Sequence, residues 1–337
     1  GLGDNISRSS PTQVGALITW EEAAVGSAHC LATQKDNSLW SWGANSQGRL
    51  GLNDTVSKSS PVQIGALTNW LEKAAGQYNS HAIKTDGTLW SWGGNSDGQL
   101  GLGDKVLYSS PVQVGSDTNW YKVSGGTYNG FAVKTNGTLW AWGWNPYGQL
   151  GQNNLVYASS PVQVGALATW ANVSAGQLGV VAIKTDGTLW GWGHNTTGLL
   201  GIGNTINQSS PVQIGALTTW LQISAGAYHC VAIKTDGTLW SWGNNGSGRL
   251  GHNNTINLSS PVQVGVLASW SKVAGGAVWC KAIKTDGTMW SWGNNNNGQL
   301  GHNNTINLSS PVQVGSQTVW STLAQGSIGG NDSPSVA

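Results

Sequence analysis

Apolar and polar positions alternate over short runs and then break. Between residues 61 and 100 the β-prone runs fall at 61–65, 70–76, 81–85 and 88–92. In the last of these, Trp90 and Trp92 fall on one side and Leu89 and Ser91 on the other, the two-residue period of a strand. Pro61 opens the first run, which suits an edge strand. No window keeps a helical period over the length a helix needs. Asp86-Gly87 joins two of the runs, and this pair predicts a hairpin with both turn residues at positive φ. The pair returns at 186–187, 236–237 and 286–287, with Asn136-Gly137 and Asp36-Asn37 as variants. Gly93, Gly98 and Gly101 then break the chain into a long polar loop. Each unit therefore predicts four short antiparallel strands.

The unit recurs every 50 residues without insertion or deletion from Trp20 through Trp70, Trp120, Trp170, Trp220 and Trp270 to Trp320. A fixed period in this range marks a propeller or solenoid. Four-stranded antiparallel units bury both faces when they stand radially around an axis, which favours the propeller. Ser-Ser-Pro-x-Gln occurs seven times and Trp-x-Trp-Gly six times. The expectation is an all-β, seven-bladed β-propeller of four-stranded antiparallel blades, a single domain over 1–337 with its seam at the termini. It holds about 6.7 repeats, and a closed ring of seven lacks the 18 residues that match 233–250. Blade seven is then incomplete at 327–337, or the missing stretch lies in a longer product. Gly1 begins in mid-repeat without an initiator Met, which suggests a processed or partial chain.

Composition narrows the function. Charged residues are 9% of the chain and the formal net charge is +1, so no electrostatic footprint for nucleic acid or an anionic membrane is visible. No apolar run approaches the roughly 18 residues that span a bilayer. The 21 Trp argue against disorder. Cys30, Cys230 and Cys280 share one register with Ser80, Gly130 and Val180, which predicts small buried packers and no disulfide framework. Asn-x-Ser/Thr matches such as Asn136 and Asn257 are expected by chance in so Asn-rich a chain.

Comparing the copies separates scaffold from candidate site. Asn45, Asn95, Asn145, Asn195, Asn245 and Asn295 are invariant and predict turn caps. The Trp pairs predict core. Lys84, Lys134, Lys184, Lys234 and Lys284 predict a solvated ring at the strand ends. Variation concentrates in two loops, which also carry Pro146 and His194. If the loops share a face, it presents Tyr78, Asn79, His81, Tyr128, Asn129, Phe131, Trp144, Tyr147, Tyr228, His229 and Trp279. Such an aromatic, weakly charged surface suits a protein or sugar partner; neutral drift after duplication is the bland alternative. No Ser/His/Asp set, metal-ligand spacing or phosphate loop stands out, so neither catalysis nor a cofactor or metal is expected.

The string Trp-Gly-x-Asn-x-x-Gly-Gln-Leu-Gly at 92–101 and 292–301, with Ala-Gly-x-x-His-x-x-Ala-Ile at 225–233, resembles the RCC1 (regulator of chromosome condensation) repeat. The likeness covers essentially the whole chain and points to a bacterial- or phage-type member. It implies a seven-bladed propeller and a wide choice of functions: nucleotide exchange on a small GTPase, ultraviolet sensing, ubiquitin-ligase modules and β-lactamase inhibition. The light-sensing motif is absent, since Gln77, Thr127, Gln177, Ala227 and Ala277 stand at its Trp positions and its Arg is missing. The charged surface and basic tail of the exchange factor are not visible either. The inhibitor's loop aromatics are matched by Tyr78, Tyr128 and Tyr228, but not by Ala28, Leu178 or Val278. The expectation is a non-enzymatic propeller presenting its loop face to a protein, in an extracellular or virion-associated setting. The alternative is a lectin-like propeller that stacks sugars on exposed Trp and Tyr.

Overall fold

The computed structural model describes residues 1–16 and 19–324. They form six four-stranded antiparallel sheets. In the first, β1 (Trp20–Val25), β2 (His29–Gln34), β3 (Leu39–Gly43) and β4 (Lys58–Gln63) pair in chain order. In the second, β5 (Trp70–Ala75), β6 (Asn79–Lys84), β7 (Leu89–Gly93) and β8 (Tyr108–Gln113) do the same. The other four repeat this at steps of 50, and we call the sheets blades one to six.

The expected seven blades are thus six. A sheet needs the central Trp-x-Trp-Gly strand, which the chain carries six times; the extra Ser-Ser-Pro segment makes no sheet without it. That segment and the seventh register tryptophan lie between blades six and one. Ser9 accepts a backbone bond from Asn303 at 2.6 Å, and Trp320 donates to the Gly287 carbonyl at 3.1 Å. Leu323 packs on Ile283 and Met289 of blade six, while Ala324 packs on Val25 and Cys30 of blade one. The expected seam at 327–337 lies outside the described residues. One channel of about 270 Å3 touches the first strand of all six blades together with Thr322 and Leu323, so the first strands are innermost and the blades close around it.

Blades pack as the alternation demands. Trp92, Trp70 and Ala82 of blade two lie on Leu31, Leu39 and Ile64 of blade one. In blades two to six the broad indole face meets the slimmer aliphatic face of the blade before. Trp92 Nε1 also donates across the boundary to the Arg49 carbonyl at 2.9 Å, and Trp142, Trp192, Trp242 and Trp292 repeat that bond. Each such ring is buried, and burying about 200 Å2 of indole contributes several kcal/mol before entropy costs, at roughly 25 cal/mol per Å2. Cys30, Cys230 and Cys280 are free and buried at these boundaries.

Two local expectations need correction. At the hairpins only the second residue of the pair has positive φ, as at Gly87 with +76°, Gly137 with +79° and Asn37 with +61°. Lys84 N donates to Thr88 O at 3.0 Å and Gly87 N to Lys84 O at 2.9 Å, so residues 85–87 form a three-residue loop ending in a left-handed residue. The lysine ring is not solvated. Lys84 lies with its Nζ 3.7 Å from the Trp90 ring centre and 4.9 Å from that of Trp70, and Lys134, Lys184, Lys234 and Lys284 repeat the clamp. Two perpendicular indoles offer the ammonium more than water at a crowded strand end does. Blade one has Gln34 in this register. The asparagine caps are as expected: Asn45 Oδ1 accepts from Leu50 N at 2.9 Å and its Nδ2 donates to the Asp54 carbonyl, with the same pattern in the other five copies.

Candidate functional site

Antiparallel pairing decides which loops are neighbours. Asn79 pairs with Gly93, and Asn129 with Gly143, so the loop before the second strand and the loop after the third emerge at the same edge. They are also laced together: Gly94 N donates to the Tyr78 carbonyl at 2.8 Å and Trp144 N to the Tyr128 carbonyl at 2.9 Å. Gly143 makes this possible. Its φ is +105°, and a Cβ there would stand 2.3 Å from the Tyr128 carbonyl oxygen. The two variable loops therefore do share one face.

That face gathers only part of the expected set. Tyr78, Tyr128, Trp144, Tyr147 and Tyr228 are half-buried at the surface. Asn79, His81, Asn129, Phe131, His229 and Trp279 are buried. They begin or occupy second strands, where side chains meet the adjoining blade. Phe131 belongs to the core between blades three and four. His81 Nε2 lies 3.1 Å from Asn79 Nδ2, and the ring stands edge-on to Trp142 of blade three. His229 Nε2 lies 3.0 Å from Cys280 Sγ, and His29 Nε2 lies 2.9 Å from Ser80 Oγ, both across blade boundaries. Burial pushes the imidazoles of His29 and His81 down to about 3, with Arg49 adding to the effect at His29, so they are neutral.

The half-buried surface aromatics form one continuous arc over blades two to four. Arg49 lies 5.0 Å from the Tyr78 ring centre. Tyr78 meets Tyr128 at 6.2 Å, Tyr128 meets Trp144 at 5.5 Å, and Trp144 meets Tyr147 at 5.6 Å. Tyr147 ends the arc on His194 of blade four at 4.8 Å. Tyr228 stands apart from it on blade five. Trp144 also meets Tyr157 at 6.4 Å, a residue that sequence reasoning missed. A signal for it existed. In its register Ser57, Asn207, Asn257 and Asn307 accept the backbone N–H of the invariant cap asparagine, whereas Leu107 and Tyr157 cannot. Those two, with Val106, Leu155 and Val156, widen the arc into an exposed apolar margin on blades two and three. Blades four to six read Thr-Ile-Asn here and blade one Thr-Val-Ser, so the middle position is an exposed aliphatic on every blade and Leu107, Leu155 and Tyr157 are the additions. Among the described residues no group of three His, Cys, Asp or Glu is placed to hold a metal.

Six four-stranded blades about a polar channel, with a loop face raised on one end, define a β-propeller built from RCC1-type units. The regulator of chromosome condensation (RCC1) repeat matches residues 36–83, 86–133, 136–183, 186–233, 236–280 and 286–326, and a second form of it matches 120–149 and 220–249. The chain belongs to the RCC1 repeat family. No curated protein matches it. Among solved structures it is similar to human WBSCR16, with a TM-score of 0.85 at 20% identity over 95% of this chain and 87% of that one. It is also similar to Prp20p of Saccharomyces cerevisiae, with a TM-score of 0.79 at 22% identity over 88% of this chain and 77% of that one. Yeast RCC1 (Prp20) in its complex with Kap60 gives 0.78 at 21% over 88% and 75%. These likenesses carry the fold. They come from human and yeast proteins and lend no support to a bacterial or phage affiliation, or to a virion or extracellular setting.

Proposed function

We propose that this chain is a non-enzymatic binding propeller whose loop face, over blades two to four, docks another protein. The supporting observation is the coincidence of the aromatic arc with Leu107, Leu155 and Tyr157, exposed apolar side chains at positions that are polar on blades one and four to six. Apolar surface gathered in one place, rimmed by polar loops, is what an interface core requires. Tyrosine and tryptophan are also the residues that most often dominate binding energy. In the arc the rings meet at angles of 36° to 78°, which makes a ridged surface rather than a flat platform for a sugar. The yeast relative Prp20p is described with binding properties to Gsp1p and histones, and yeast RCC1 (Prp20) as bound to Kap60. Those partners are theirs; the reading for this chain rests on its own arc.

The test is site-specific photo-crosslinking in extract from the source cells. A crosslinker replaces Tyr157 in one variant and Asn257, the same register on blade five, in another. A discrete protein adduct at 157 and none at 257 is expected. Equal adducts at both positions, or saturable glycan-array binding lost on Trp144→Ala with no protein adduct, would sink the proposal.

A further inference from the structure

The middle of the arc has a chemistry that the rest of the face lacks. Its register reads Ala44, Gly94, Trp144, His194, Asn244 and Asn294, so only blade three places an indole there. Three tyrosine rings stand steeply against that indole: Tyr128 at 59°, Tyr147 at 78° and Tyr157 at 68°. Rings set so are walls of a corner. Their faces carry the negative lobe of the aromatic quadrupole, which attracts cations.

A carboxylate adjoins the same corner. Tyr147 touches His194 of the next blade, and one repeat earlier Asp97 holds the register of Tyr147 while Trp144 holds that of His194. The intervening geometry is the same, since a Cβ on Gly94 would meet Gln47 Oε1 of blade one. Asp97 also acts on Tyr128: burial raises that phenol's pKa first, and the Tyr78 and Asp97 charges raise it further. Asp97 accepts from Ser96 Oγ at 3.0 Å and makes no ion pair among the described residues. One cation of the chain already approaches: the exposed Lys105 puts its Nζ 5.9 Å from the Tyr157 ring centre.

We propose that the Trp144 corner, walled by Tyr128, Tyr147 and Tyr157 with Asp97 at its edge, receives an arginine or lysine side chain from the docked protein. The proposal rests on the docking surface above and gives it a charge preference. Negative ring faces and an unpaired carboxylate complement a single positive charge, and Lys105 is the cation that the incoming group displaces. A neutral apolar anchor would gain nothing from Asp97 and lose nothing to Lys105.

The probe is choline, titrated into the full chain by ligand-observed NMR beside its uncharged isostere 3,3-dimethyl-1-butanol. Saturable choline binding is expected, with the isostere about ten-fold weaker, as a desolvated cation–π site implies. Trp144→Ala abolishes it. Because that variant disturbs several rings, two surface changes give the decisive reading. Asp97→Asn weakens choline binding about three-fold, and Lys105→Gln strengthens it by a similar factor, each the size of a partly screened charge interaction. Equal binding of the two isosteres overturns the proposal, as does no binding to either wild type or Lys105→Gln, or indifference to both surface changes. A specific adduct at residue 157 with no choline binding removes the cation site and leaves the docking surface. Choline binding without that adduct does the reverse.

Discussion

A histidine buried between two blades measures how dry that boundary is. His29, His81 and His229 are each fully enclosed, and burial holds all three imidazoles well below their usual pKa. The unfolded chain takes up protons at these residues below about pH 6.5, while the folded chain resists doing so down to about 3 at His29 and His81. Their contribution to stability is therefore complete above pH 6.5 and falls as the pH drops through that window, by about 1.4 kcal/mol per unit for each histidine. Thermal melts from pH 7 to 4 check this, and His81→Asn flattens the slope. A slope unchanged by that substitution would show that the ring is protonated in place. Lys281 adds the same sense at high pH, since burial lowers its amine to about 8 and stability rises from there toward 10.5. At this scale the sequence was least legible. Asn79, Asn129 and Phe131 look like loop residues, yet each second strand begins right after the short loop, so they point into the neighbouring blade. Exposed and buried variation look alike when the repeats are merely aligned.

The hairpin between second and third strands links chemistry to shape. Asp86 Oδ1 accepts from Thr88 N and from Thr88 Oγ1, and Thr88 Oγ1 in turn accepts from Trp90 Nε1 at 2.8 Å. The relay holds the indole upright for the lysine above it, and it recurs in every blade, with Ser38 in place of Thr in blade one. Lys184→Gln, which installs the residue of blade one, lowers stability by about 1 kcal/mol in chemical denaturation, the size of a partly desolvated cation–π contact. Gly143→Ala costs about 2 kcal/mol or more, since it combines a disfavoured φ with a backbone clash. The same change at Gly115, where φ is +61° and nothing crowds the position, costs less. The difference between the two melts isolates the loop-lacing contact. The four-strand unit, the position of each turn and the Asn caps were readable because they follow from alternation and turn chemistry. The turn's φ values and the lysine clamp were not, since both depend on how a third element packs against the hairpin.

Around the whole molecule the inner strands are joined in two ways. Between blades one and three the links are ion pairs: Lys73 with Glu22 at 3.0 Å, and Lys122 with Glu72. Between blades three and six they are neutral hydrogen bonds: Ser124, Ser174 and Ser224 accept from Ala175, Ala225 and Gly275 N at 2.9–3.0 Å, and Gln222 Oε1 accepts from Val273 N at 3.2 Å. Lys73 is buried and Glu22 is mostly exposed. Glu22→Ala is therefore expected to cost about 1–3 kcal/mol, by leaving a buried ammonium with only Thr33 Oγ1. Ser174→Ala costs a similar amount by stranding a backbone N–H. High salt lessens the first loss and leaves the second unchanged, which denaturation at two ionic strengths detects. The propeller itself was legible from the strict period and the alternating indoles. The number of complete blades was misjudged because outer-strand segments were counted, whereas a sheet forms only around its Trp-x-Trp-Gly strand. The binding face was half legible: aromatic variation marked blades two to four, but Tyr157 and Asp97 emerge only when neighbouring blades are set side by side.

In the proposed function, binding resides where the repeats cease to agree, on the loop face of blades two to four. Hydrogen–deuterium exchange of the chain with and without the protein captured at residue 157 locates that binding. Protection confined to 76–78, 94–107 and 144–157, with 226–228 and 244–257 unchanged, is the predicted result. Protection spread evenly around the ring, or confined to the hairpin loops at the opposite end, would contradict it.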